Sequence, residues 1–432
     1  MTSPQRIHGG PDALGVPRFD FSTNSNACGP CPVALAAVQQ ADARHYPDAS
    51  YAALRAQLAA FHGVEVQRVL LAGSASEFIF RITAWVAQQG GRQVCLPPHS
   101  YGDYAQAAQA WGLAPTNQPD DAQLMWACEP SSPLGATQAR LGDLVDELGA
   151  TATVVLDRAY EPLRLNGALA LTDAQFQTIW QLWTPNKALG LTGVRAGYAI
   201  APLGAEKAVA ALEQLCPSWP VGAHGVALLQ SWVQPEVQAW LTESLQTLRA
   251  WKARQIALLQ ALGWTCLPSG TNFFCARPGQ ALDLNRLRTA GIKLRDTTSF
   301  GLPGHFRLSV QPPVAQDALK IALQTGPSPV FTNFEGEVTM TALTIRLPNS
   351  VHESIKLLAR KDGISVNQFI ASAAAEKMAS FQTLDYLRRE AALGKREDFE
   401  QFLKLVPDVP AQAGDALSSD IDTLVKTRNK KP

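Results

Sequence analysis

The chain is 432 residues long, with 37 basic and 37 acidic residues, no formal net charge and 46% hydrophobic residues. That length suits about two or three domains, and the even charge balance argues against a chain devoted wholly to nucleic acid. The opening stretch MTSPQRIHGGPDALG has no apolar signal core, no apolar run is long enough to span a bilayer, and the seven cysteines are scattered, so a cytoplasmic protein is expected.

Along the chain, the first local signal is Cys28-Gly29-Pro30-Cys31, a CxxC turn of the dithiol type. It follows the polar run FSTNSNA and is followed by Pro32, so the buried strand and helix start that would lower a thiol pKa are not expected there, nor is a redox role. No second CxxC pair or histidine cluster completes a zinc quartet, and no metal site is expected. From about residue 50 to 215, helical and short apolar segments alternate: an amphipathic helix over 51–62, a strand over 69–72, a helix over 77–88, and strands over 93–96 and 154–156, the last ending at Asp157. This alternation predicts an α/β domain with a mostly parallel sheet and helices on both faces. Gly73, Tyr101, Ser132, Asp157 and Lys187 each follow such an apolar run. Ligands of open α/β sheets sit beyond the carboxyl ends of the strands, so these residues are expected to converge on one crevice. A long helix over about 234–262, a strand over 271–276 and FRLSVQP around Arg307 predict a smaller α+β domain.

The segment 184–198, TPNKALGLTGVRAGY, carries the most chemistry. A lysine that forms a Schiff base must sit on a tight turn and be able to act as a nucleophile, and Lys187 follows a run, 178–183, that alternates as a strand would. Arg195 is placed to clamp a phosphate, with the Thr184 hydroxyl as a second donor. The layout is that of a pyridoxal phosphate anchor. Other strand ends add parts to it. In LAGSASE, 71–77, a strand leads through small residues into a helix, where the N–H groups of Ala75 and Ser76 can point at a phosphate. Tyr101 can stack on a flat heteroaromatic ring, Asp157 can hold a proton on a pyridine nitrogen, and Tyr160 can donate to a phenolic oxygen. Taken singly, each is equally a helix cap, a core aromatic or a strand-end carboxylate; order and spacing favour the shared site.

With HGG at 8–10, DFSTNSNACGP at 20–30, YPDASYAALRAQLA at 46–59, LDRAY at 156–160, NKALGLTGVRAGY at 186–198 and FRLSV at 306–310, the chain from about 8 to 323 resembles the aspartate-aminotransferase fold of pyridoxal phosphate enzymes, fold type I. Within that fold it is most similar to histidinol-phosphate aminotransferases and the cobalamin-pathway L-threonine O-3-phosphate decarboxylases. The resemblance implies Lys187 as the Schiff-base lysine, Asp157 at the pyridine nitrogen, Tyr160 and Ser132 near the phenolic oxygen, and Tyr101 as the stacking ring. It also implies a homodimer in which Tyr46 reaches the partner's cofactor phosphate, and a substrate side formed by Arg307, Arg295 and Asn26. Two arginines suit a small phosphorylated amino acid or amine. Where the family has PNNPTG this chain has PSSPLG, which puts Ser132 in place of an asparagine; transamination and decarboxylation both remain open.

Composition shifts after about residue 325. The enzyme-like part is expected over 1–326, with a large domain over about 31–230 and a small one from 1–30 plus 231–326. A Pro/Gly-containing linker follows over 327–340. Then LTIRLP, 343–348, alternates as a half-buried strand, and two Ser-x-x-Glu/Gln capping boxes, Ser350 with Glu353 and Ser365 with Gln368, open two helices. Strand, helix, turn, helix over 341–381 is too small to bury a core alone and should dimerise. It resembles the ribbon-helix-helix DNA-binding domains of Arc-type repressors and bacterial antitoxins. That resemblance implies Thr344 and Arg346 reading bases, Ser365 and Val366 clamping phosphate, and a tail over 382–432 that binds a toxin. A plain dimerisation module is the competing reading. Met340, preceded by the purine-rich codons that Glu335-Gly336-Glu337 require, is what two joined neighbouring genes would leave. Two functional classes therefore stand side by side, a pyridoxal phosphate enzyme and, as the alternative, a DNA-binding regulator carrying a vestigial cofactor domain.

Overall fold

Uninterrupted runs of Val, Leu and Trp build the centre of the molecule, whose computed structural model describes residues 8–149, 151–324, 354–356 and 366. A seven-stranded sheet runs in the order Val69–Ala72, Gly197–Ile200, Trp180–Trp183, Thr153–Asp157, Leu124–Cys128, Gln93–Cys95, Ala114–Thr116. Neighbours are parallel, except that Gly197–Ile200 runs antiparallel to both of its partners. Helices cover both faces. Val69 and Leu71 pack in one cluster with Leu54 and Leu58 of helix Ala52–His62, while Leu70 and Ala72 pack in another with Phe78, Ile79 and Ile82 of helix Ala75–Gln88. A strand covered on two sides has no solvent face, which is why these segments read as solid apolar runs.

That covering corrects the expectation for 178–183. The strand is Trp180–Trp183, all four residues are buried, and Thr178 and Ile179 lie in the preceding turn. Gln181 breaks the apolar run without facing water, because its Oε1 accepts from Arg158 Nη1 at 2.9 Å. The Arg158 guanidinium in turn lies 4.2 Å over the Trp183 ring.

A second, antiparallel sheet runs Arg295–Asp296, Phe306–Ser309, Phe273–Arg277, Thr265–Cys266. The middle strand starts two residues later than the sequence suggests, since Thr271 is used in a bridge to Arg164. The 27-residue helix Pro235–Ala261 starts on a proline at its first turn, where a missing N–H breaks no helical bond. Phe19–Asp20 pairs in parallel with Ile292–Lys293, which joins the N-terminal segment to this part of the molecule.

Proline also explains a second correction. Cys31 caps helix Pro32–Gln39, with Pro32 in its first turn, so the CxxC turn does open a helix. It is nonetheless not a reactive dithiol: Cys31 is fully buried, burial pushes the Cys28 thiol up, and both cysteines are free. Among the described residues no helix is long and apolar enough to cross a membrane.

Chain contacts separate two compact units, residues 1–330 and 331–432. In the second unit, Ser354, Ile355, Lys356 and Val366 are helical. The expected linker, the strand over 343–347 with Thr344 and Arg346, Ser365 and the tail over 382–432 all lie outside the described residues.

Behind the sheet, His62 Nε2 sits 2.8 Å from the Tyr198 hydroxyl, which also accepts from Trp232 Nε1 at 3.0 Å. Burial, and next the charge of Arg158, hold the imidazole down at about 4 against an ordinary 6.5. The folded protein thus prefers neutral His62. Its contribution is complete above pH 6.5 and is lost as pH falls from 6.5 towards 4, because the unfolded chain then takes up the proton first. Chemical denaturation between those limits should show a loss on the order of 2 kcal/mol that is absent in His62→Gln; equal pH slopes for the two proteins would contradict this assignment.

Candidate active site

Five strand ends and the N-terminal segment meet around one cavity of about 540 Å³. Asp157 closes strand Thr153–Asp157, and Cys128 closes the neighbouring Leu124–Cys128, opposite it in register. Lys187 lies on the turn after Trp180–Trp183, and Ser74 to Ser76 form the start of helix Ala75–Gln88 after Val69–Ala72. Tyr101 precedes helix Gly102–Trp111. All of them line the cavity, with Ser132, Tyr160, Thr184, Arg195, Arg295 and Arg307. Of the residues expected to converge, Tyr101, Ser132, Asp157 and Lys187 line the cavity, whereas Gly73 does not.

Each side chain has a distinct environment. Asp157 is 5% exposed; its Oδ2 accepts from the Tyr104 hydroxyl at 2.6 Å and its Oδ1 from the Ala159 N–H at 2.9 Å. Burial raises its pKa, and those hydrogen bonds and the charge of Lys187 oppose the rise. The Lys187 ammonium lies 5.2 Å over the Tyr160 ring and has no hydrogen bond to any described residue. Tyr160 is buried, its hydroxyl accepting from Asn24 Nδ2 at 3.4 Å. Tyr101 meets Ser76 through its hydroxyl at 3.2 Å, and burial pushes its pKa up to about 12, so it stays a neutral ring. Ser74 caps its helix by accepting from the Glu77 N–H at 3.1 Å, and the first-turn N–H groups of Ala75 and Ser76, which have no intrahelical acceptor, belong to residues lining the cavity. Thr184 is 4% exposed and its Oγ1 has no partner. Arg195 is exposed at the cavity rim, with no ion pair among the described residues.

At the other wall, Arg295 and Arg307 face each other across two antiparallel strands, both at most 7% exposed. Arg307 donates from Nη1 to Ser132 Oγ at 3.1 Å and from Nη2 to the Ser22 carbonyl at 2.9 Å; its Nε has no partner. Arg295 donates to the Asp296 carbonyl at 2.7 Å and to Ser299 Oγ at 2.8 Å. Burial first, then the charge of Arg307, lowers Arg295 to about 10, and burial lowers Arg307 as well. Two desolvated cations side by side raise the energy of this wall until an anion joins them.

One expected residue lies elsewhere, and two others have particular surroundings. Asn26, expected on the substrate side, does not line the cavity. Its Nδ2 donates to the Ala188 carbonyl at 3.0 Å, its Oδ1 accepts from the Cys28 N–H at 3.0 Å, and its own N–H donates to the Lys187 carbonyl at 2.9 Å. A buried amide must satisfy both ends, and here the lysine turn satisfies the donor end and the Cys28 N–H the acceptor end. Gly190 on that turn has φ +70, and a Cβ there would lie 2.5 Å from the Gly29 carbonyl oxygen, so the two turns are locked together. Ser132, expected near the phenolic oxygen, lines the cavity, and its hydroxyl oxygen accepts from Arg307. Tyr46 is 78% exposed, stacks on Trp219 at 4.5 Å and lies outside this cavity.

Among the lining residues not singled out from the sequence, three stand out. Asn24 is 2% exposed with its Oδ1 unpartnered, and His8 sits at the mouth. Tyr104 holds Asp157; its spacing of three from Tyr101, at the start of one helix, is a signal that could have found it.

Comparison with known proteins adds the following. A model of the family aminotransferase class I and II matches residues 17–325, and a model of the HicB family matches residues 341–373. A histidinol-phosphate aminotransferase of Jannaschia sp. (strain CCS1) is 29% identical over 321 residues, covering 68% of this chain and 87% of the relative. Among solved structures, the histidinol-phosphate aminotransferase of Sinorhizobium meliloti in complex with pyridoxal-5'-phosphate superposes with a TM-score of 0.61 at 22% identity, covering 74% of this chain and 95% of that one. The L-threonine-O-3-phosphate decarboxylase of Porphyromonas gingivalis does so with a TM-score of 0.59 at 20% identity, covering 71% and 98%. At these identities the two structures establish the shared fold.

Proposed function

Because this chain belongs to the class I and II aminotransferases, enzymes that depend on pyridoxal phosphate, we propose that its cavity takes a small phosphorylated amino acid or amine. The buried pair Arg295 and Arg307 carries the reading: a wall holding two desolvated guanidinium groups is matched by a dianionic phosphate, or by a phosphate and a carboxylate. The residues of the cavity also fit the cofactor. Thr184 Oγ1 is a buried donor without a partner, the N-terminus of helix Ala75–Gln88 opens into the cavity, and Arg195 stands free at its rim; together they suit a phosphate. Asp157 is a buried acceptor suited to a protonated ring nitrogen, and Tyr101 offers a neutral face to the ring. Lys187 would hold the cofactor through its aldehyde. When bound, pyridoxal phosphate supplies an electron sink for charge developing at the substrate carbon beside nitrogen. Lys187 Nζ, bound to no neighbouring side chain, is the base that takes a proton from that carbon and returns it. Asn24 Oδ1 is left to accept a hydrogen bond from the substrate.

Transamination of the histidinol-phosphate type is the first reading, supported by the named relatives. Decarboxylation of L-threonine O-3-phosphate is the second. It is supported by HGG at 8–10 and FSTNSNACGP at 21–30, which lean towards the decarboxylases and together supply His8, Gly9, Ser22, Thr23 and Asn24 to the cavity lining; there the Gly10 N–H donates to Ser22 Oγ at 2.8 Å and a Cβ on Gly9 would strike the Ser22 carbonyl. In either case Tyr46, remote from its own cavity, is read as reaching the cofactor phosphate of a second copy, which makes the working unit a homodimer. Purified protein should release glutamate from histidinol phosphate plus 2-oxoglutarate under the first reading, or carbon dioxide from L-threonine O-3-phosphate under the second. Arg307→Ala should weaken the accepted substrate by about 2–5 kcal/mol while the visible cofactor band stays unchanged. An unaltered KM in that variant would move the substrate site elsewhere.

For residues 341–381 the HicB-family match supports an antitoxin-related module, and the finer reading is a ribbon-helix-helix that binds operator DNA through Thr344, Arg346, Ser365 and Val366, with a toxin as partner of the tail. Arg346 carries the base discrimination in this reading, worth about 1–3 kcal/mol for a bidentate contact. The full chain should bind a promoter-proximal operator, and Arg346→Ala should keep only weak, salt-sensitive binding without sequence preference. If the unmodified chain already binds random duplex as well as that operator at physiological salt, the module serves dimerisation alone.

A further inference from the structure

Tyr104 lines the cavity, and the proposed reaction leaves its hydroxyl unused. It is fully buried, its ring stacks on Trp126 at 4.5 Å and 10°, and it meets the Tyr101 ring edge-on at 5.9 Å. Nothing about that packing requires a hydroxyl, and phenylalanine would fill the same space. A phenol removed from water must nevertheless find an acceptor. The one it finds is Asp157 Oδ2, at 2.6 Å, a length typical of an O–H donor on a charged oxygen.

We propose that Tyr104 is a positioning residue for the cofactor, its hydroxyl fixing the Asp157 carboxylate in place and in its charged form so that it can hold the protonated ring nitrogen. The inference rests on the reading of this cavity as a pyridoxal phosphate site. Geometry gives the aim. Oδ1 is tied to the Ala159 N–H and Oδ2 to Tyr104, so the carboxylate cannot rotate about its last bond. Neither donor carries a charge, and no arginine or lysine forms an ion pair with Asp157 among the described residues, so the charge is left for the ring. Chemistry gives the protonation. Burial raises Asp157 and the Tyr104 hydrogen bond pulls it back, while burial and the Asp157 charge push Tyr104 itself well above the ordinary phenol range. The shared proton therefore stays on the tyrosine and the charge on the aspartate. The backbone delivers both groups independently: Asp157 ends a strand, and Tyr104 stands on helix Gly102–Trp111 immediately after the Tyr101 turn. One helix start thus supplies the ring face and the hydroxyl behind the carboxylate.

The test compares Tyr104→Phe, Trp126→Phe and a full chain carrying 3-fluorotyrosine at position 104. Two quantities are read by visible absorption, the dissociation constant of pyridoxal phosphate and the pH midpoint of the lysine-bound cofactor band. A ring nitrogen that keeps its proton withdraws electrons and lowers that midpoint. Tyr104→Phe should weaken cofactor binding roughly tenfold or more, the effect of losing one hydrogen bond to a charged group, and move the midpoint up. Trp126→Phe disturbs the same packing but keeps the hydroxyl, so both quantities should stay within about twofold of the parent. The fluorinated ring fills the same site and is a stronger donor, so it should move the midpoint down even if Tyr104→Phe proves too unstable to measure. Midpoints that do not move in the phenylalanine and fluorotyrosine proteins, or that move as far in Trp126→Phe, would overturn the proposal. A parent protein that forms no visible band would instead overturn the cofactor reading on which it rests.

Discussion

A buried carboxylate that forms no ion pair among the described residues is the constraint around which this cavity is built. Asp157 ends a central strand at 5% exposure, and leaving its charge uncompensated would cost several kcal/mol. The protein meets part of that cost with two neutral donors, one from the backbone two residues on and one from Tyr104. In the proposed reading, the remainder is met by a ligand that brings a proton on a ring nitrogen. The opposite wall carries the reverse charge, since Arg295 and Arg307 are buried side by side. A cavity negative at one end and positive at the other orients any molecule that carries both charges.

The scaffold holds these unfavourable charges in place through contacts with few alternatives. The lysine turn is pinned by Asn26 from one side and by the close approach of Gly29 to Gly190 from another. Arg307 is anchored to Ser132 and to the Ser22 carbonyl, which links the loop after strand Leu124–Cys128, the N-terminal segment and the smaller sheet in one hydrogen-bonded unit. Such preorganisation places donors and acceptors before the ligand arrives.

Strand ends were the legible part of the sequence. Solid apolar runs, each followed by a tyrosine, aspartate or lysine, are sufficient to place Tyr101, Asp157 and Lys187 together, because a parallel sheet delivers all its carboxyl ends to one edge. What pairing and burial decide was not legible. Asn26 reads as a polar loop residue until the lysine turn closes against it, and Pro32 reads as a break until it occupies the first turn of a helix. Gln181 reads as a solvent face until Arg158 satisfies it beneath a second layer. Tyr104 could be ranked as core aromatic or as hydroxyl donor only after the position of Asp157 was known.

The central claim is that Lys187, and no other lysine, meets the cofactor in this cavity. Reducing the purified, pyridoxal phosphate-loaded protein with borohydride and mapping its peptides tests that directly. The account predicts a single pyridoxyl-modified peptide carrying the mark on Lys187. A mark on a different lysine, or none on a protein shown to be folded, would contradict it.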